Sequence, residues 1–287
     1  MASDLVGWPC IGAFNARVRV LTDLVPSRKG KKMTKRLILM VAMASFLPHG
    51  LSAQSQCEFR DDVELRGTAV AELHVEAGAG RLVVRGSDGT GVIHVSATLC
   101  ASDRERLEAL EVSLDGDRIR TDYPNQRGVW GNNYARIDLE IEVPASTHVQ
   151  IEDGSGSLTI HGVGDVELKD GSGSAHIENV GSVLVTDGSG SLRIEDADGD
   201  VEVRDGSGSM TINGVTGGVV IEDGSGSIVI ETVGGSVRID EVGAGGVNVR
   251  DVEGDLVVTD GRRERIRFSD VRGVVDLPPA RRRGSGS

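Results

Sequence analysis

The chain has 287 residues, a formal net charge of −13, only 3% aromatic residues and 40 Gly. That length suits one or two domains, and so few aromatic side chains leave Val, Ile and Leu to fill the core, which favours β-structure. The acidity excludes nucleic acid as a partner, because phosphate backbones are bound by Lys and Arg that displace counterions.

The first element in chain order is a leader. "MTKRLILMVAMASFLPHGLSAQ" begins at Met33 with basic Lys35 and Arg36, runs through apolar residues from Leu37 to Pro48, and reaches small Ala53 before Gln54. This is the pattern of a secretory signal peptide with Met33 as start, and the apolar run is too short for a comfortable membrane span. Without residues 1–53, 23 Lys/Arg face 42 Asp/Glu, a net charge of −19. An exported body this acidic attracts cations and resists self-association. Cys10 lies upstream of the leader; Cys57 and Cys100 remain, and an even pair in an oxidising compartment reads as a disulfide.

Next comes an irregular stretch. "ELHVEAGAGRLVVRG" and "GVIHVSATL" are expected to be early, less regular rungs of the repeat described below. "SDRERLEAL" predicts a short helix capped by Ser102 or Asp103, with Leu107 and Leu110 on one face. "EVSLDGDRIRT" predicts a hairpin at Asp115-Gly116. "DYPNQRGVWGNNY" is a polar loop that holds Trp130, and "RIDLEIEVP" alternates as a strand ending at Pro144.

Regularity begins at Asp153. "EDGSGSLTI", "KDGSGSAHI", "TDGSGSLRI", "RDGSGSMTI" and "EDGSGSIVI" place Asp153, Asp170, Asp187, Asp205 and Asp223 at spacings of 17, 17, 18 and 18 residues. A fixed short period is the mark of a repeat architecture. Each unit offers one strand (Leu158/Ile160, Ala175/Ile177, Leu192/Ile194, Met210/Ile212, Ile228/Ile230). A turn column follows (Val163, Val180, Ala197, Val215, Val233). A second strand completes the unit (Val166/Leu168, Val183/Val185, Val201/Val203, Val219/Ile221, Val237/Ile239). The pattern continues less cleanly through Val247/Val249, Val252, Leu256/Val258, Ile266/Phe268, Val271 and Val275/Leu277, and "PPARRRGSGS" ends it. One unit cannot bury its own apolar face, whereas parallel stacking buries a continuous core and satisfies the backbone through its neighbours.

These observations predict an all-β chain: a right-handed parallel β-solenoid with 17–18-residue rungs and two short strands per rung, and an irregular N-terminal cap with one short helix. The divisions are residues 1–53 (leader and signal peptide), 54–150 (first rungs and cap), 151–277 (regular solenoid) and 278–287 (disordered tail). Serial "DGSGSLxI…GdVeV" units behind a signal peptide resemble the bacterial exported β-strand-repeat family of putative adhesins, a domain of unknown function. The resemblance covers roughly residues 57–277. It implies an exported adhesive or structural role and brings no catalytic residue.

The repeated loop fails the tests for chemistry. A nucleophile elbow needs G-x-S-x-G before a helix, and a P-loop needs a Lys that no copy has. Asp153, Ser155 and Ser157 match the first three ligand positions of an EF-hand, but Leu158 stands where that loop requires Gly, and no Glu occupies its twelfth position. The nine-residue calcium β-roll places its Asp after the glycines, not before them. Gly turns and Asx-type hydrogen bonds account for the loop. Stacked at about 4.8 Å, the five Asp repel by about 1 kcal/mol per neighbour even in bulk water. They must therefore fan outward, bond to backbone donors or share cations, and weak divalent-cation binding along the column is the chemical expectation. His74 and His94 are placed on one outer face, and none of His74, His94, His161 and His176 shares a ligand spacing. Glu167, Leu184, Glu202, Val220, Arg238 and Val257 form one outer column.

The functional expectation is an exported, non-catalytic envelope protein, an adhesin or structural scaffold, without cofactor or metal centre. Its partner is an unknown protein or glycan of the cell envelope, and its place is the periplasm, the cell surface or the medium. A polysaccharide-active or glycan-binding β-helix is the first rival and needs acids or Arg converging in a groove. An envelope-stress regulatory binding module is the second.

Overall fold

The computed structural model describes residues 57–89, 91–123 and 133–280. The leader, the loop residue Trp130 and the tail from 281 lie outside the described residues. In chain order the elements are β1 (Phe59–Thr68), β2 (Glu72–Glu76), β3 (Ala79–Ser87), β4 (Val92–Ala101), α1 (Arg104–Glu108), β5 (Glu111–Asp115), β6 (Arg118–Asp122) and β7 (Ala135–Pro144). The regular part follows as β8 (His148–Asp153), β9 (Ser155–His161), β10 (Val166–Asp170), β11 (Gly173–Val180), β12 (Val183–Asp187), β13 (Gly190–Ala197), β14 (Val201–Asp205) and β15 (Gly208–Val215). It ends with β16 (Val219–Asp223), β17 (Gly226–Val233), β18 (Val237–Val242), β19 (Gly246–Val252), β20 (Leu256–Val258), β21 (Ile266–Val271) and β22 (Val275–Asp276).

These strands make two eleven-stranded sheets. Sheet A runs β1-β4-β7-β3-β9-β11-β13-β15-β17-β19-β21, and sheet B runs β22-β20-β18-β16-β14-β12-β10-β8-β2-β6-β5. Alternate side chains of a strand face opposite sides, so the period-two Val, Ile and Leu of both sheets meet in one core between them. From β8 onward each rung contributes one strand to each sheet, in register: Val166 lies over Val149 and under Val183, and Ile177 over Ile160 and under Ile194. Ile160, Ile177, Ile194, Ile212 and Ile230 are all fully buried. Each such side chain contributes roughly 1.5–3 kcal/mol relative to exposure. The Val163, Val180, Ala197, Val215 and Val233 column is buried as well and closes the core at the turn leading from sheet A to sheet B. On the last described rung Phe268 pairs with Val249 but is 40% exposed, because no further strand among the described residues covers it.

The capping region keeps its predicted helix and hairpin. Asp103 caps α1 by accepting from the backbone N–H of Arg106 at 2.8 Å, and β5 and β6 pair antiparallel about Gly116, whose φ is +60°. Cys57 and Cys100 are joined by a disulfide across a Cα–Cα distance of 5.5 Å. "ELHVEAGAGRLVVRG" is indeed a rung, β2 in sheet B followed by β3 in sheet A. "GVIHVSATL" is not. It forms β4, which runs antiparallel to β1 and β7 within sheet A. After β3 the chain reverses instead of turning a corner into the other sheet, and a reversed strand cannot continue a parallel stack.

The β2–β3 rung is also interleaved. β3 pairs in parallel with both β7 and β9, and β2 with both β6 and β8. The first rung made by the chain therefore lies between two that are made later.

Candidate functional site

The sequence singled out the Asp column, and the fold fixes its position. Each Asp ends a sheet B strand of the form Val-x-Val-x-Asp or a close variant, so the alternation that buries the two aliphatic residues also turns the carboxylate inward. Asp153, Asp170, Asp187, Asp205 and Asp223 are stacked in register along sheet B. They are 8%, 7%, 5%, 7% and 2% exposed. Of the three ways to relieve their repulsion, fanning outward is therefore not used. Backbone donors are: Asp187, Asp205 and Asp223 each accept from the N–H two residues on, at Ser189, Ser207 and Ser225, at 3.0–3.1 Å. These are the Asx-type turns that the composition of the loop suggested.

Relief is incomplete. Asp170 Oδ1 and Asp223 Oδ2 are buried and accept no hydrogen bond from the described residues. Burial raises the pKa of all five carboxyl groups. Asp153 is pushed up to about 6 by burial and by the charge of Asp170. Asp205 reaches about 6 through burial and the charges of Asp187 and Asp223. An unrelieved stack of carboxylates disfavours ionisation in this way.

No acid continues the column in register at either end among the described residues. A bulge between Ile221 and Glu222 shifts the register of β16 on β18, so that Val242 rather than an acid lies over Asp223. At the other end β2 stops at Glu76, opposite Glu152. There the Tyr123 ring lies against Gly78, and the Tyr123 hydroxyl donates to the Ala79 carbonyl at 2.9 Å. Burial raises the Tyr123 pKa.

A second polar column was not recognised from the sequence. At the turn entering sheet B, one rung's side chain holds the backbone N–H of the next. Asp165 Oδ1 accepts from Ser182 at 2.8 Å, Asp200 Oδ1 from Gly218 at 2.7 Å, Ser236 Oγ from Asp255 at 3.0 Å and Asp255 Oδ1 from Val274 at 2.7 Å. Its signal was present as Asp or Ser recurring one rung apart, but the louder Asp-Gly-Ser repeat masked it.

The outer faces carry exposed ion pairs, among them Lys169–Glu152 at 3.0 Å and Arg238–Asp240 at 2.7 Å on sheet B, and Arg193–Glu195 at 2.5 Å on sheet A. The Arg193 hydrogen bond holds the Glu195 carboxyl below its usual range. Exposed pairs of this kind contribute little to stability, because solvent screens them. The outer column from Glu167 through Leu184, Glu202, Val220 and Arg238 to Val257 is present as expected, and Val220 is 37% exposed. His74 and His94 do not share a face: His74 is on β2 in sheet B and His94 on β4 in sheet A. The reversal of β4 separates them. Among the described residues no group of three or more His, Cys, Asp or Glu is arranged to hold a metal ion.

No family model matches the chain, and no curated protein does. Among solved structures it is similar to a putative adhesin from Parabacteroides merdae, with 11% identity, a TM-score of 0.41, and coverage of 76% of this chain and 95% of that one. A putative adhesin from Bacteroides fragilis has 10% identity, a TM-score of 0.38 and coverage of 76% and 97%. A putative cell adhesion protein from Clostridium sporogenes has 10% identity, a TM-score of 0.31 and coverage of 75% and 98%.

Proposed function

We propose that the chain is an exported, non-catalytic β-solenoid of the bacterial cell envelope, an adhesin-like scaffold that offers its two flat faces to a protein or glycan. The observation that carries this reading is the closure of two eleven-stranded sheets over one aliphatic core. Apart from the Asp column, inward positions are filled by aliphatic side chains, so contact with a partner is left to the outer faces, where charged side chains stand at rung spacing. The Cys57–Cys100 disulfide suits an oxidising compartment. The acidic surface suits a partner that carries cationic groups or is bridged by cations.

The test is fractionation of a tagged full chain, together with binding to whole cells and to a glycan panel. Recovery from the envelope or the medium with saturable binding is expected. Retention in the cytoplasm, or export without binding to either, overturns the reading and leaves the fold untouched.

A further inference from the structure

The Asp column poses a problem that its surroundings do not solve. Apart from the Ser N–H groups that reach the carboxylates, many of the corner's backbone donors are committed to neighbouring rungs. Gly171 donates to the Asp153 carbonyl, Gly188 to Asp170, Gly206 to Asp187 and Gly224 to Asp205, all at 2.9 Å. Gly173, Gly190 and Gly208 donate to the carbonyls of Ser189, Ser207 and Ser225 at 2.9–3.1 Å. What is left over is acceptor capacity: the Oδ1 of Asp170, 7% exposed, and the Oδ2 of Asp223, 2% exposed, have no donor among the described residues. A buried acceptor without a donor is costly, and here two occur in one stack of five.

The charged groups that act on the column are acidic as well. They are its own members and, at the upper end, Glu241. Tyr123 faces the lower end with its hydroxyl engaged at Ala79. A divalent cation is a poor fit, because calcium takes six or more oxygens and the Asp and Ser carbonyls at this corner already accept N–H bonds. A proton fits. Rungs lie about 4.8 Å apart, a spacing that lets a carboxyl group tilted along the stack approach its neighbour's oxygen at the ~2.5–3.0 Å of an O–H···O bond.

We propose that Asp153, Asp170, Asp187, Asp205 and Asp223 form a proton-sharing carboxyl ladder, in which a protonated Asp donates to the free oxygen of the next. Loss of those protons as pH rises loosens the Asp-Gly-Ser edge of the rod. The raised pKa values of the five groups agree in direction. The sign follows from linkage: a carboxyl whose folded pKa lies above its unfolded value stabilises the fold at low pH and loses that contribution as pH climbs through the folded pKa. The window runs from the ordinary value of 3.8 to about 6 for Asp153 and Asp205. Asp62 and Asp240, whose pKa values are lowered by Arg60 and Arg238, act oppositely below that window.

The test is a carboxyl-carbon NMR titration of the full chain labelled at Asp. The column should titrate as a coupled set, above the surface carboxylates, with apparent midpoints that belong to the set. The melting temperature should be highest towards the lower edge of the window and fall through it towards neutral pH. Asp187→Asn keeps an acceptor for the Ser189 N–H while removing the central titrating group, and should lower the midpoints of Asp170 and Asp205. Titration of all five with the surface groups, or a melting temperature that is flat or rises from pH 4 to 7, overturns the ladder. So does a column whose signals shift in millimolar calcium chloride at fixed pH, which would make it a cation site. The wild-type titration decides even where the variant fails to fold.

Discussion

Each regular rung turns two corners by different means. At the Asp-Gly-Ser-Gly-Ser corner, Gly156, Gly173, Gly190, Gly208 and Gly226 have φ between +136° and +154°. A Cβ at any of them would sit 1.8–2.1 Å from the carbonyl oxygen of the equivalent Gly one rung below. At the opposite corner Gly162, Asn179, Asp196, Gly214, Thr232, Asp251 and Asp270 have φ between 53° and 74°. That is the left-handed helical region, which Asn and Asp tolerate. A Cβ at Gly162 would find nothing nearer than 3.8 Å. Both corners need positive φ, but only the first also needs the absence of a side chain. This is why one is written almost identically five times while the other varies. Invariance here records how closely one backbone lies on the next, and is no sign of a chemical motif.

The contrast can be broken most severely at Gly190. Gly190→Ala puts a methyl group into the Gly173 carbonyl and should cost about 3 kcal/mol or more, read from the urea midpoint. A cost below about 1 kcal/mol would place the tight approach elsewhere. At the other corner, Asp251→Val puts a β-branched residue at a φ of 55°. The expected loss is about 1–2 kcal/mol, measured the same way, and no loss would mean that this backbone shifts freely. Thr232 already bears such strain at φ 57°. Thr232→Asn should return about 0.5–1 kcal/mol, a rise of about 2 °C in melting temperature. The mildest change is Gly162→Asn, expected within about 0.5 kcal/mol of wild type. If it costs as much as Gly190→Ala, the distinction between the corners fails.

Legibility in the sequence followed periodicity. Strand positions, inward columns and register from Leu158 to Val258 could be read because each unit repeats its neighbour and an error in one would contradict the others. The Asp column was located correctly, but its burial was not foreseen. Repulsion between stacked charges left outward rotation, backbone donors and shared cations open, whereas the alternation of Val166, Leu168 and Asp170 on one side of the strand, read strictly, turns the carboxylate in. Local physics outweighed the pairwise electrostatics because the Ser N–H two residues on was available. The cap was legible only where local signals exist, as at Asp103 and Asp115-Gly116. The reversal of β4 and the insertion of β2–β3 depend on pairings between segments far apart in sequence, which no window of the chain displays.

That insertion gives the rod a direction in time. Within the regular stack a contact such as Lys169 to Glu152 spans 17 residues of chain, whereas Gln150 reaches Glu72 across 78. Contacts of long sequence separation form slowly, because loop entropy is lost before they repay it. The first rung has as neighbours strands built from residues 118–122, 135–144 and 148–161. The β2–β3 rung is thus completed only after the strands on both of its sides have been synthesised, so this part of the stack is expected to close late and, once closed, is held from both sides.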